Sequence, residues 1–265
     1  DMWSHQYDQQ VNQVQATINP DHLWTTNGPE SNIYGLEPNF GCCTANMHQG
    51  WPKLAAHLWM RAPEEGLAAA VYAPSRVRFA PRGVAVEVEM RTDYPFRETV
   101  TIAVTADKPV RFPLHLRVPV WAAGAVLRLP DGAVEAPRPG TFHRLEREWS
   151  GRTEIELRFP MKAATTSRYN GAVAVERGPL VYALKLGEEW TRVNADKPHR
   201  ELPHGDFEVR PTTPWSYGLA VPEGEDPADS IRFEERPVGE KPFSPEGAGM
   251  AAAAKGRRIN AWRLQ

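Results

Sequence analysis

The feature that most constrains the fold is a change in hydrophobic period near residue 64. From residue 67 onward, apolar residues recur at every second position, which is the pattern of a strand with one buried face. In the run 84–90, valine and methionine alternate with alanine and glutamate. Turn signals such as Pro130-Asp131-Gly132 separate successive runs of this kind. Short strands at this spacing predict a β-sandwich.

The predicted strands fall into two groups along the chain. The first group covers 67–73, 84–90, 98–105, 113–120, 125–130 and 153–159, and the second covers 171–176, 180–185, 206–210 and 229–234. Arg177-Gly178-Pro179 forms the predicted turn between the first two strands of the second group. We therefore predict a first β-sandwich over 64–161 and a second, truncated one over 162–265.

Residues 1–63 have a different, helical character. Residues 2–17 contain few helix breakers and predict one helix, and residues 18–41 read as a loop rich in proline and glycine. A second helix is predicted over 44–62, with Thr44 as its N-cap and a kink or restart at Pro52. Its apolar positions recur with the helical period and are Met47, Trp51, Leu54, Ala55 and Leu58.

Charge and motifs exclude several classes of function. The net charge of -2 gives no basis for binding nucleic acid or an anionic membrane surface. No apolar run reaches the roughly 20 residues that a transmembrane helix requires. The sequence also lacks a phosphate-cradling glycine loop, a serine nucleophile elbow and an HExxH zinc helix. The excess of arginine over lysine suggests a bacterial source, and no N-terminal signal assigns a compartment.

The most distinctive chemical feature is the adjacent pair Cys42-Cys43, the only cysteines in the chain. A thiolate is both a strong nucleophile and a good zinc ligand. The pair opens a predicted helix, and a helix N-terminus stabilises negative charge and so lowers the pKa of a thiol. Two cysteines cannot complete a tetrahedral zinc site, so two ligands must come from elsewhere. The alternatives are a pair of small buried residues and a strained vicinal disulfide.

Five further residues are candidates for binding a sugar. His5 and Tyr7 lie among amide side chains that could pair with sugar hydroxyls or simply face solvent. Trp24 and Tyr34 could stack on a sugar ring or fill a core. His48 follows Cys42 by six residues and could approach it.

Carboxylate pairs are the usual mark of a glycosidase. Glu30 and Glu37 flank the loop before the cysteines, but their spacing identifies neither as an acid nor as a base.

Four blocks of sequence resemble glycoside hydrolase family 127, the β-L-arabinofuranosidase-like proteins. The blocks are 34–53 around the cysteines, 3–7 with 12–14, 66–75 and the run RGPLVYAL at 177–184. The resemblance implies an (α/α)6 barrel followed by β-sandwich domains. The expected fold is therefore mixed α and β: the C-terminal remnant of an (α/α)6 barrel over 1–63, followed by two antiparallel β-sandwich domains. On this reading the chain is a C-terminal fragment that lacks most of the catalytic barrel.

The resemblance also implies a mechanism. Cys42 matches the family's nucleophile, and Cys42 and Cys43 match two of its zinc ligands. The remaining ligands would be a Glu and a Cys in an upstream Glu-x-Cys motif, and the acid/base would be another upstream Glu. This sequence contains no Glu-x-Cys motif, so we expect the chain alone to be inactive. The expected substrate is an L-arabinofuranoside or a related plant glycan.

Two readings from other classes remain open. The chain could be a non-catalytic carbohydrate-binding or structural accessory module, with the cysteines buried and inert. It could also be a redox or metal sensor built on the cysteine pair.

Overall fold

The computed structural model describes residues 5–7, 13–21, 27–35 and 41–263, and β-strands dominate them. Within these ranges the α-helices are α1 (Gly41–Met47) and α2 (Gly50–Ala56). Short 3-10 helices lie at Pro81–Gly83, Tyr169–Gly171 and Pro227–Ser230. No helix in the described part of the chain is both long enough and apolar enough to cross a membrane.

Eight strands form one sheet after the helices. They are β1 (Trp59–Ala62), β2 (Gly66–Ala69), β3 (Ser75–Phe79), β4 (Val86–Thr92), β5 (Thr99–Val118), β6 (Val126–Arg128), β7 (Val134–Glu135) and β8 (Thr141–Arg158). The strand order is β1-β2-β5-β8-β6-β7, and β4 joins β3 to β5. All the pairs are antiparallel except β2 with β5.

The long strands β5 and β8 connect two parts of this sheet. Their register shifts between Ala106 and Val110, so each strand has two halves. The first half of β5 pairs with β4, and the second half pairs with β2. Side chains from both halves belong to one buried cluster, so the sheet closes over a single core. The sequence predicted two separate strands, 98–105 and 113–120, where the structure has one strand that continues through an irregularity.

The core of this sheet is aromatic and aliphatic. Trp149 is fully buried, stacks on Phe112 with ring centres 5.6 Å apart and donates its indole hydrogen to the Phe112 carbonyl at 3.1 Å. The predicted alternation in 84–90 is confirmed in β4, where Val86, Val88 and Met90 are buried. Burying one face of each strand supplies the main driving force for this unit.

Residues after the large sheet form short strands. They are β9 (Ala163–Ser167), β10 (Val173–Arg177), β11 (Leu180–Tyr182), β12 (Glu188–Val193), β13 (Asp206–Pro211), β14 (Tyr217–Leu219), β15 (Arg232–Glu235), β16 (Met250–Ala253) and β17 (Gly256–Arg258). These strands pair as β11-β10-β9, β12-β13, β14-β17 and β15-β16. The predicted hairpin around Arg177-Gly178-Pro179 corresponds to β10 and β11. In the described residues after β8, the strands therefore form four short sheets of two or three strands each.

The expected barrel remnant over 1–63 is wrong, and with it the mixed α and β fold class. His5 and Ala16 make β-bridges where one helix over 2–17 was predicted; residues 2–4 and 8–12 lie outside the described residues. An (α/α)6 barrel requires long helices packed in layers, whereas α1 and α2 have seven residues each.

The second predicted helix, 44–62, is also different in the structure. The helix begins at Gly41 rather than after Thr44, restarts at Gly50 and gives way to β1. Pro52 lies in the first turn of α2, where its missing backbone donor costs no helical hydrogen bond. The apolar stripe is not buried: α2 contains no buried residue, and Trp51 is 68% exposed. The apolar residues of α2 follow the helical period, but no other layer of the described residues covers them.

Candidate functional site

The two cysteines lie side by side in the first turn of α1. Their Sγ atoms are 3.7 Å apart and are not joined by a disulfide. Cys42 is exposed, whereas Cys43 is half-buried. The pair therefore presents one accessible thiol and one partly covered thiol.

Amide side chains connect this turn to α2. Asn46 donates to the Cys42 carbonyl oxygen at 2.7 Å, and its own Oδ1 accepts from Gln49 at 2.7 Å. The Gln49 Oε1 accepts from the Lys53 ammonium at 3.1 Å. This series of hydrogen bonds holds the cysteine turn and the start of α2 in a fixed relation, although all of it is exposed to solvent.

The pKa of the Cys43 thiol is raised, contrary to the expectation from the helix start. Partial burial is the largest cause, and the neighbouring Cys42 thiol adds to it. A hydrogen bond with the Tyr7 hydroxyl lowers the pKa in part. Because a raised pKa favours the neutral thiol, Cys43 needs a nearby cation to be a thiolate at neutral pH.

The pair fits half of a zinc site. Tetrahedral zinc with Zn–S bonds of about 2.3 Å places two sulfur ligands about 3.8 Å apart. The observed Sγ–Sγ distance of 3.7 Å matches that edge. Within the described ranges, no group of three or more His, Cys, Asp or Glu residues is arranged to hold a metal ion. Two further ligands would have to come from outside those ranges.

Of the residues predicted to bind a sugar, only some lie near the cysteines. Tyr7 contacts Cys43 through its hydroxyl. His5 pairs with Gly35 through two backbone hydrogen bonds of 2.9 Å, and burial lowers the pKa of its imidazole. His48 lies on the exposed turn after α1, and Trp24 lies outside the described residues.

Tyr34 belongs to a different part of the molecule. Its backbone pairs with Phe207 of β13, and Ala16 makes a similar bridge to Val209. Nearby, Glu30 accepts from the Lys197 ammonium at 2.7 Å. The segment before the cysteines is therefore attached to the C-terminal region, a contact that no sequence pattern indicated.

An aromatic cluster on β12 was missed at the level of sequence. The Trp190 ring lies 4.9 Å from the Tyr34 ring and 6.1 Å from the Phe207 ring, measured between centres. Its indole nitrogen donates to the Glu188 carboxylate at 2.9 Å. Glu188, Trp190 and Arg192 occupy alternate positions, which is the spacing of one face of a strand. The sequence did not predict this strand, because two of these residues are charged and the segment has no apolar face.

Comparison with known families gives a match in the middle of the chain. Residues 66–161 match the model described as the middle domain of GH127 β-L-arabinofuranosidase. These residues include most of the eight-stranded sheet. The match relates the chain to glycoside hydrolase family 127 and confirms the resemblance predicted from its sequence. No curated protein sequence matches the chain.

Three solved structures of glycoside hydrolases are similar to part of this chain, and two of them share its fold with TM-scores of 0.50 or more. One, described as a glycoside hydrolase, is 17% identical over 76% of this chain and 41% of its own, with a TM-score of 0.53. A GH127 β-arabinofuranosidase is 19% identical over 70% of this chain and 34% of its own, with a TM-score of 0.50. A GH127 β-L-arabinofuranosidase from Geobacillus stearothermophilus T6 is 21% identical over 63% of this chain and 29% of its own, with a TM-score of 0.48. This chain thus spans less than half of each.

Proposed function

We propose that this chain forms part of a retaining, zinc-dependent glycoside hydrolase that acts on L-arabinofuranosides or related plant sugars. The observation that carries the proposal is the pair of thiols 3.7 Å apart, in a chain whose middle matches a GH127 domain. The glycan substrate follows from the family relationship. Nucleic acid and membranes are not expected partners.

The two cysteines have different roles in this proposal. Cys42 is exposed, so its sulfur can reach the anomeric carbon of a bound sugar. Cys43 is half-buried and hydrogen-bonded to Tyr7, which suits a ligand that stays in place. A bound zinc ion would keep both sulfurs as thiolates at neutral pH. Tyr7 then serves as a positioning residue for Cys43.

The reaction proceeds by two displacements at the anomeric carbon. The Cys42 thiolate attacks, a C–S bond forms and the glycosidic C–O bond breaks. The leaving oxygen takes its proton from a carboxylic acid, which the family resemblance puts upstream of this chain. Water then attacks the same carbon, its proton passes to the carboxylate, and the Cys42 thiolate is released. Two inversions give net retention.

The test uses the full-length protein and separates the two cysteines. Cys42→Ala should abolish hydrolysis of an aryl β-L-arabinofuranoside, because the nucleophile is lost. Cys43→Ser should lower the zinc content measured by elemental mass spectrometry, since a ligand is weakened. His57→Ala is the matched control, because His57 is a zinc-capable residue at the end of α2 that the proposal leaves out.

Two results would contradict the proposal. Wild-type turnover by Cys42→Ala would remove its role as nucleophile. Equal zinc content in Cys43→Ser and the wild type would remove the metal assignment. For the 265-residue chain alone, we expect weak zinc binding and no detectable hydrolysis, because it contains no Glu-x-Cys motif and its described residues hold no third ligand beside the cysteines. Hydrolysis by that purified chain would show that the catalytic groups are complete within it.

A second candidate is a non-catalytic carbohydrate-binding or structural module. The observation that favours it is the lack of a third metal ligand beside the cysteines in the part of the chain described by the structure. The upstream coding sequence distinguishes the two candidates. A Glu-x-Cys motif with further helical hairpins would support the hydrolase, and an unrelated domain would support the module.

A further inference from the structure

The side chain of Trp190 is accessible although it lies within a paired strand. It lies in the middle of β12 and is 48% exposed. Tryptophan is costly to leave in water because its ring is large and mostly apolar. A ligand that stacks on the exposed part of the ring would cover this apolar surface.

Neighbouring groups hold the Trp190 ring in one orientation. Tyr34 packs against it at 4.9 Å with an angle of 39° between the ring planes. Phe207 meets it edge-on at 6.1 Å and 65°. The hydrogen bond from the indole nitrogen to Glu188 fixes the remaining rotation. A ring that is already fixed loses little conformational entropy when a ligand binds to it.

The rim around Trp190 is charged rather than apolar. Glu188, Glu189 and Arg192 share β12 with it and are exposed. Glu188 also raises the pKa of the Tyr34 hydroxyl, after the larger effect of burial. A protein partner would typically need a wider apolar centre than one ring. A charged rim instead offers acceptors and donors for a ligand that carries many hydroxyl groups.

We propose that Trp190, Glu188 and Tyr34 form a carbohydrate-binding surface on β12, here called the Trp190 platform. A sugar ring presents C–H groups on one face and hydroxyls around its edge. The C–H face lies on the indole, and an edge hydroxyl donates to the Glu188 carboxylate. Tyr34 packs against the indole and holds it in place. Only the choice of L-arabinose-containing glycans rests on the proposed function; the platform itself does not require hydrolysis.

Binding can be measured without turnover in the full-length protein carrying Cys42→Ala. The probes are soluble arabinan, arabinoxylan and arabinogalactan, each cast into a native gel, with dextran as the unrelated glycan. The platform should retard migration in at least one arabinose-containing gel. Trp190→Ala should weaken that interaction about tenfold or more, because it removes the stacking surface. Trp190→Phe should restore part of it.

Trp262→Ala is the matched control, because Trp262 is 43% exposed and thus similar in accessibility. It should migrate like the parent protein in every gel. Glu188→Ala should also weaken binding, since it removes both the acceptor and the hydrogen bond that orients the indole. Thermal unfolding of each variant tests whether it is folded. If Trp190→Ala proves unstable, the binding of Trp190→Phe tests the proposal in its place.

Several outcomes would overturn the proposal. They are the absence of retardation by every arabinose-containing glycan, equal retardation of the parent and its Trp190 variants, and equal loss in the Trp262 control. Retardation in dextran of the same size would reject the arabinose-containing class. A stable complex that a purified protein partner forms through Trp190, with no glycan binding, would assign the surface to protein recognition instead. Zinc content and hydrolysis are measured separately in the Cys42 and Cys43 variants, so a failure of the platform leaves that test of the proposed function unchanged; only the choice of glycan probes rests on the proposed function.

Discussion

Arg177 is a residue that joins the large sheet to the shorter strands. It is buried, and its guanidinium donates to Glu98 Oε1 at 3.2 Å. The same oxygen accepts from the Met161 backbone at 2.9 Å. Gly178 lies in the turn between β10 and β11 and has a φ of +57°. A Cβ at this position would meet the Met161 sulfur at 2.7 Å. The Arg-Gly run of the sequence thus reflects both an ion pair and a tight backbone approach.

Removing this buried charge should destabilise the protein strongly. We expect Arg177→Ala to lower the free energy of unfolding by about 1–3 kcal/mol, because Glu98 loses its buried partner and keeps only the more exposed Arg158 at 2.9 Å. Chemical denaturation of the 265-residue chain measures the change. Arg168→Ala is the control, because Arg168 forms an exposed pair with Glu176 and should change stability by about 0.5 kcal/mol or less. Equal losses of stability in the two variants would show that the buried Arg177–Glu98 pair contributes no more than the exposed Arg168–Glu176 pair.

The strands β3, β4 and β8 carry a ladder of ion pairs on their exposed face. Glu87 contacts Arg78 at 2.7 Å and Arg76 at 3.3 Å. Glu89 contacts Arg76 at 3.5 Å and Arg152 at 3.3 Å. Opposite charges that face each other across strands stabilise the register, although each exposed pair contributes little. The alternation that buries valine on one face therefore places an organised set of charges on the other.

This ladder predicts a stability that depends on pH. The hydrogen bond from Arg152 is the largest effect and lowers the pKa of Glu89 below its ordinary value of 4.5. Desolvation opposes it, and the hydrogen bond from Arg76 lowers the pKa further. A lowered pKa in the folded state stabilises the protein above that ordinary value, and the gain is lost as the pH falls through the folded pKa.

Glu89→Gln should therefore lower the unfolding temperature slightly at pH 6 and reduce its decrease between pH 5 and pH 3. Calorimetry over this range checks the prediction, and 1 M salt should shrink the difference because it screens exposed charges. Glu234→Gln, which removes a carboxylate of an exposed pair on β15, is the control. If Glu89→Gln left the pH dependence of the unfolding temperature unchanged, the prediction would be contradicted.

Across the whole molecule, the segment before the cysteines is attached to β13. The Phe207 amide donates to the Tyr34 carbonyl at 2.7 Å, and the Val209 amide donates to the Ala16 carbonyl at 2.7 Å. Asp206 is fully buried beside this contact and accepts from Arg200 at 2.9 Å. Two segments that lie more than 150 residues apart in the sequence thus meet at β13, and this contact brings the Tyr34 ring against the Trp190 ring.

Gly35→Ala should loosen this attachment. The added Cβ would run into Oδ1 of Asp206, and such overpacking costs about 1–3 kcal/mol. We expect faster hydrogen exchange at the amides of Phe207 and Val209, because their acceptors belong to the displaced segment. Mass spectrometry of peptides from 206–211 measures it. Gly50→Ala is the control, because a Cβ there meets nothing within 4 Å. Equal exchange in both variants would contradict the prediction.

The sequence and the structure agree best where a pattern reports local burial. The alternation in β4 and the turn at Arg177-Gly178-Pro179 could be read directly, because period and turn chemistry are local properties. The helix over 44–62 could not be predicted correctly from the sequence. Trp51 and Leu54 follow the helical period, but they are exposed and have no layer to pack against in the described residues. The domain limits at 63 and 161 and the roles of Cys42 and Cys43 stay predictions.

By itself, the sequence determined the β-rich character after residue 67, the adjacent thiols and the resemblance to glycoside hydrolase family 127, which the domain match over 66–161 confirms. Tertiary structure alone decided that β5 runs unbroken past Lys108 and Pro109, that Cys43 meets Tyr7, and that Tyr34 lies with Trp190. The physical reason is the range of the interactions. Periodicity and motifs depend on neighbours along the chain, whereas strand pairing and side-chain contacts between distant segments depend on which surfaces are buried together.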